Sequence, residues 1–258
     1  MNTGEKIFLG FSITALISSV AYAIFGKRIH SKITERKNSK LIEFTKTVNA
    51  EGSLSISVPL IDKAYYKAYE KSAIKSKLDT IYGKYKSFID LAAKLNNIPT
   101  ALIKSFIFIE SAGNENAANG NAFGLMQVDF NSVTDIITRE RKSGKLTEQE
   151  KLIIKKHIGQ DRYNKVMKAA MGESYFTKAD MLNPELNIII GTMYLAQCIA
   201  KEKGRIDRAT IRYNLGYFTK SIPEGDTKTI IDSPKLRQVS KDYVLKLGGI
   251  NGTLDILV

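Results

Sequence analysis

The sequence predicts an all-α domain carried behind an N-terminal membrane-spanning segment and a basic stalk. Three observations predict it. Tyr85, Phe88, Ile89, Ala92 and Leu95 recur at three- and four-residue spacing, the stripe of an amphipathic helix. Helix-start chemistry recurs downstream, at Pro99-Thr100 and at Thr147-Glu148-Gln149-Glu150. Finally, the 19 residues from Ile7 to Phe25 contain no charge.

Nineteen residues rise about 28 Å as a helix, close to the roughly 30 Å of bilayer hydrocarbon. Residues 1–28 are therefore read as an anchor. A cleaved signal peptide is the competing reading, because Ala21-Tyr22-Ala23 has the small-x-small form of a cleavage site. Residues 29–77 are Lys- and Ser-rich and only weakly periodic, as expected of a basic stalk. Within them, Lys32–Lys46 suits a basic helix or an extended tether, and Gly52–Pro59 alternates briefly like a short strand or irregular linker.

From about Leu78 the pattern is helical, and the main domain is placed at residues 78–250. Asn97 and Pro99 interrupt the first stripe. Pro99 then opens a second helix, where its fixed φ and missing N–H are tolerated. Between Gln127 and Asn183 lie 55 residues, read as a helical insertion at about 131–182. Its capping box at Thr147 precedes Leu152, Ile153 and Ile154, and Asp161–Met171 suits a further short helix. Asn187–Ala200, Ala209–Leu215 and Val239–Leu247 complete the helical pattern.

Composition narrows the function classes. Of 258 residues, 39 are Lys or Arg and 26 Asp or Glu, a net charge of +13 that suits anionic partners. Zinc-finger spacing, an RNA-binding aromatic motif and a phosphate-binding loop are all missing, so no nucleic acid is expected. The lone Cys198 excludes an intramolecular disulfide and lies in an apolar run, as a packed thiol would. His30 and His157 are the only histidines, which argues against both a metal centre and a Ser-His-Asp triad. No metal or cofactor is expected.

The stretch that carries chemistry is Ile103–Gln127. Ile103, Phe106, Ile107, Phe108 and Ile109 deliver one carboxylate, Glu110, to the end of an apolar helix. A loop rich in Gly and Asn follows, closed by Gly124-Leu125-Met126-Gln127. Desolvation at such an edge disfavours the charged carboxylate and raises its pKa. A group that holds its proton near the working pH is what general-acid cleavage of a glycosidic bond requires. The plain alternative is a helix-terminal Glu that points into water.

Two later blocks extend the pattern. Asn183-Pro184-Glu185-Leu186-Asn187-Ile188 leads to Gly191 and Tyr194-Leu195, and Ala209-Thr210-Ile211-Arg212-Tyr213-Asn214-Leu215-Gly216 follows. With Glu110-Ser111 and Gly124–Gln127 they resemble, in order, the motifs of the soluble-type lytic transglycosylase catalytic domain, which shares its core with goose-type lysozyme. The resemblance runs from about Tyr82 to Leu247, about two thirds of the chain. It implies a lysozyme-like helical domain that cleaves the β-1,4 bond between N-acetylmuramic acid and N-acetylglucosamine in peptidoglycan.

In that family a single Glu protonates the glycosidic oxygen and then serves as base on the C6 hydroxyl, closing a 1,6-anhydro ring. The resemblance assigns this role to Glu110. It places Ser111, Asn119, Gly124, Met126, Gln127, Tyr213 and Asn214 around the substrate. Ser111 would fix the helix end, Gly124 would let backbone approach the sugar, and Gln127 would offer an amide to it. Tyr213 would orient the carboxyl or the acetamido group. Three departures stand out: Asn119 where the family commonly has Ser, Glu115 where it has Pro, and Arg212 where it has Ala. Arg212 is open to two readings, a ligand for a peptide or muramyl carboxylate and a plain rim residue. Glu115 and Asp129 are the other carboxylates near Glu110.

A lysozyme-type hydrolase and a non-catalytic wall-binding or assembly protein of a virion or secretion apparatus are the competing functions. The charges around the anchor bear on the setting. Lys27, Arg28, Lys32, Arg36, Lys37 and Lys40 follow the apolar run, whereas Lys6 is offset by Glu5. That asymmetry favours a cytoplasmic C-terminal part, away from the wall. A membrane-containing virus particle would remove the conflict. The expected partners are peptidoglycan strands and, through residues 7–25, a membrane.

Overall fold

The computed structural model describes residues 41–48, 52–59 and 61–257. Ile7–Phe25 and His30, and with them the expected anchor, lie outside these residues. Among the described residues, no helix is long and apolar enough to cross a membrane. The described residues divide into two units, residues 69–198 in one and those before 69 and after 198 in the other. Both are mainly helical in their later parts, in keeping with the expected helical class.

The unit of residues 69–198 begins with α1 (Lys71–Asn96), which starts before the expected Leu78. Ile74, Leu78, Ile81, Tyr85, Ile89 and Ala92 are its buried stripe. Asn97 ends it in the left-handed conformation, with its N–H on the Ala93 carbonyl. Pro99 then caps α2 (Thr100–Ser111), where a residue without an N–H loses nothing. Leu102, Ile103, Phe106 and Ile107 of α2 are buried, and α2 packs against α1.

Beyond α2 the chain forms a small antiparallel sheet that the helical expectation does not contain. Its strands are β4 (Ala118–Asn119), β5 (Ala122–Phe123) and β6 (Val128–Asp129), in the order β4-β5-β6. Two-residue strands carry no period, which is why the sequence reads as loop.

The insertion follows as α3 (Val133–Lys142), α4 (Glu148–Lys168) and α5 (Lys178–Met181). Thr147 and Glu150 form the expected capping box. The helix expected at Asp161–Met171 is not separate. It continues α4 beyond a break at Gly159, whose φ of 78° is left-handed. Gly172 N–H donates to Asp135 at 2.8 Å and Tyr175 N–H to Thr134 at 3.2 Å, which fastens the intervening loop to α3. The last helix to begin in this unit is α6 (Pro184–Lys201), of which residues 184–198 belong to it. Asn183 Oδ1 accepts the Leu186 N–H at 3.0 Å, so Asn183 is the cap and Pro184 the first helical residue.

In the other unit, the stretch expected as a stalk carries strands. β1 (Leu41–Val48) and β2 (Gly52–Pro59) pair antiparallel, with Leu41 opposite Pro59. β3 (Ile61–Ala64) pairs parallel with β7 (Gly249–Ile250), near the far end of the chain. Asn251 adds a side-chain bond to the Tyr66 carbonyl at 3.1 Å. The last residues before α1 are therefore tied to the C-terminal segment rather than running free. The helices of this unit are α7 (Ile206–Leu215), α8 (Thr227–Asp232), α9 (Gln238–Gly248) and α10 (Thr253–Leu257). Ile61, Ile211, Ile222, Ile230, Ile231, Leu236 and Val244 form its core cluster.

Candidate active site

Glu110 sits one residue from the C-terminal end of α2, half-buried, beyond the buried Ile103, Phe106 and Ile107 and the half-buried Phe108 and Ile109. The helix end is held by Ser111. Its hydroxyl donates to the Ile107 carbonyl at 3.0 Å and accepts the Gly113 N–H at 3.1 Å. Ala112 and Gly113 then turn the chain through left-handed backbone, at φ 50° and 80°. Ser111 thus donates to and accepts from the backbone beside Glu110.

Glu115 and Asp129, the other carboxylates near Glu110 in sequence, have structural partners. Glu115 accepts the Tyr85 hydroxyl at 2.7 Å and the Lys84 ammonium at 3.0 Å. The Tyr85 hydrogen bond, then that of Lys84, holds its carboxyl below the usual range. A group kept ionised in this way is poorly suited to donate a proton. Asp129 accepts the Asn131 N–H at 3.0 Å and closes the turn that leads into α3. The Glu115 link was not legible in the sequence, because Tyr85 and Glu115 are 30 residues apart.

The Gly124–Gln127 segment is fastened from several sides. Gly124 N–H donates to the Ala117 carbonyl at 2.9 Å. Gln127 has a φ of 45°, and its Nε2 donates to the Ala117 and Gly124 carbonyls at 3.1 and 2.9 Å. The amide that a sugar was expected to meet therefore has its nitrogen engaged within the loop.

Asn187, fully buried on α6, completes the clamp. Its Oδ1 accepts the Met126 N–H at 2.8 Å, and its Nδ2 donates to the carbonyls of Phe123 and Met181 at 2.8 and 2.9 Å. The Asn-Pro-x-x-Asn block thus works as a helix cap followed, four residues on, by a buried clamp.

Gly124 and Met126 occupy packed positions. A Cβ on Gly124, at φ 77°, would lie 2.2 Å from the Met181 carbonyl and 2.5 Å from Asn187 Nδ2. Internal packing is therefore a sufficient reason for the glycine. Met126 is 0% exposed and lies against Gly191 and Thr192, so it has no surface to offer a sugar in this arrangement. Asn119 is exposed, next to the Gly120-Asn121 turn of the β4–β5 hairpin.

Glu110, Ser111, Asn119, Gly124, Met126 and Gln127 thus gather in one unit, at the end of α2 and around the small sheet. Tyr213 and Asn214 belong to α7 in the other. Tyr213 is 7% exposed. Asn214 is exposed, and its Oδ1 accepts the Ser240 hydroxyl of α9 at 2.9 Å.

Arg212 is the residue whose environment is least like either expectation. It is 6% exposed, and Glu202 neutralises it through a 2.6 Å bond from Nε. Its Nη1 donates to the carbonyls of Tyr217 and Thr219 at 2.5 and 3.1 Å. The same Glu202 pairs with Arg208 at 2.5 Å. Arg212 is therefore a buried brace, neither a rim residue nor a free ligand for a carboxylate.

No family model and no curated protein matches the sequence. Among solved structures, an inactive mutant of the lytic transglycosylase Slt from Pseudomonas aeruginosa is similar over 67% of this chain, at 18% identity and a TM-score of 0.44. The match spans 23% of the length of that chain. A likeness this slight carries no argument about function.

Proposed function

We propose that the chain is a peptidoglycan lytic transglycosylase in which Glu110 is the acid and then the base. The observation that carries the reading is the setting of Glu110 on its helix, compared with those of Glu115 and Asp129, the other carboxylates near it in sequence. Glu115 is held ionised by Tyr85 and Lys84, and Asp129 closes a backbone turn. Glu110 stands half-buried at the end of an apolar helix that Ser111 locks in place.

In the proposed cycle, Glu110 gives its proton to the glycosidic oxygen as the bond to the muramyl C1 breaks. The substrate's acetamido group stabilises the positive charge on that carbon. The Glu110 carboxylate then takes the proton of the C6 hydroxyl, whose oxygen closes on C1. One carboxyl serves both steps because the first leaves it ionised, so the two-carboxylate spacing of ordinary glycosidases is not needed. Tyr213 and Asn214 are proposed as substrate-binding residues, on the strength of the resemblance alone. Ile7–Phe25 is proposed as the membrane tether, with the catalytic part facing the wall of a bacterial envelope or reaching it from a virion membrane.

Mass spectrometry of digested peptidoglycan tests the reading. Anhydro-muramyl ends that vanish with Glu110→Gln are the expected result. Reducing ends would identify a lysozyme-type hydrolase. No cleavage at all would leave the wall-binding or assembly protein.

A further inference from the structure

We infer that the turn following α7 is a carbohydrate-stacking subsite, with Phe218 as its platform and Lys201 as its cationic edge. The inference rests on peptidoglycan as substrate and adds a binding site that the motifs do not contain.

The turn is Gly216–Thr219, closed by Thr219 N–H on the Gly216 carbonyl at 3.1 Å. Gly216 ends α7 at φ 97°, with its N–H on the Arg212 carbonyl at 2.8 Å. The buried Arg212 guanidinium grips the Tyr217 and Thr219 carbonyls, the residues on either side of Phe218. Ser221 N–H adds a bond to the Thr219 hydroxyl at 3.3 Å. A short surface turn is thus pinned from beneath by a neutralised charge.

What the turn presents is apolar. Phe218 is 65% exposed, among the largest exposures of any bulky apolar side chain described. Tyr217 meets it edge to face, with centroids 5.2 Å apart, and sets the angle of its ring. Lys201 Nζ lies 4.1 Å from the Tyr217 centroid and 5.3 Å from that of Phe218.

Leaving a large aromatic in water is unfavourable, and fixing its backbone removes the freedom that would let it fold away. Such a side chain is preorganised to receive a flat apolar face without a further ordering cost. The C–H face of a pyranose ring has that shape, and Lys201 adds a charge for the carboxylates of muramyl lactate or stem peptide. Phe218 also follows Asn214 by four residues, directly after the motif that the resemblance assigns to the substrate.

The test is co-sedimentation of the full-length chain with insoluble peptidoglycan, in a Glu110→Gln background so that the probe is not consumed. Phe218→Ala should weaken binding about 10-fold, the scale of losing one aromatic contact. Phe218→Trp should retain it. Melting curves of both should match the parent, because the ring is exposed. Equal binding by parent and Phe218→Ala overturns the subsite and leaves the Glu110 reading standing. Equal loss in the Ala and Trp variants also overturns it, because stacking would then not be the contact. Binding that depends on Phe218 in a chain whose Glu110 form cuts no peptidoglycan would keep the subsite and overturn the catalytic reading. A parent that neither binds nor cuts overturns both.

Discussion

Replacing Asn187 with Ala removes, in one step, the clamp that holds the Phe123–Met126 segment. The side chain is 0% exposed and makes three hydrogen bonds between 2.8 and 2.9 Å. Each is worth about 1 kcal/mol net, and a buried group left without a partner costs about 1–3 kcal/mol. The Met126 N–H loses its acceptor outright, so the sum is about 3–5 kcal/mol. For a chain of this size that corresponds to a melting temperature lower by about 6–20 °C.

Urea and thermal unfolding of Asn187→Ala measure the loss directly. Asn183→Ala is the comparison, since it removes only a helix cap worth about 1 kcal/mol. Asn187→Asp should not rescue, because a carboxylate cannot donate to the Phe123 and Met181 carbonyls and would be buried without a cation. Activity per folded molecule should fall as well, because the clamped segment lies on the same small sheet that follows Glu110. A loss at Asn187 no larger than at Asn183 would refute the clamp and mean that the segment is held by other contacts.

Tyr213→Phe should lower turnover about 10- to 1000-fold if its hydroxyl orients the acid or the acetamido group, as loss of a positioned hydrogen bond does. A large fall in melting temperature with unchanged turnover per folded molecule would make Tyr213 a packing residue instead. Acid should weaken the brace under the Gly216 turn. Burial pushes the Glu202 carboxyl up, but hydrogen bonds from Arg208 and Arg212 prevail and hold it below its ordinary value. Its stabilisation is therefore complete above about pH 4.5 and is lost as pH falls through the depressed folded value. The melting-temperature gap between the native chain and Glu202→Gln should accordingly shrink as pH falls below about 4.5, and a constant gap would refute the pairing. For the N-terminus, intact-mass measurement of the native product should find residues 1–28 retained. A mature chain beginning at Ile24 would show cleavage after Ala23 and remove the anchor.

Short-range features of the fold were legible in the sequence, and long-range partnerships were not. The stripe from Tyr85, the opening of α2 at Pro99 and the capping box at Thr147 involve residues within one or two helical turns, so their spacing suffices to place them. The position of Glu110 at the end of an apolar helix is of the same kind.

The roles of the polar residues around it are different, because each depends on a partner brought close only by folding. Asn187 reaches Met126 across 61 residues, and Glu115 reaches Tyr85 across 30. Gly249 meets Ile61 in a strand two residues long, too short to carry any alternation. Arg212 looked like a candidate ligand because nothing in its own segment reveals Glu202 or the carbonyls of Tyr217 and Thr219. A buried charge must find neutralisation and hydrogen bonds inside the protein. The helices and the place of Glu110 follow from local periodicity and capping, whereas the division of polar side chains between bracing and presentation follows from tertiary desolvation.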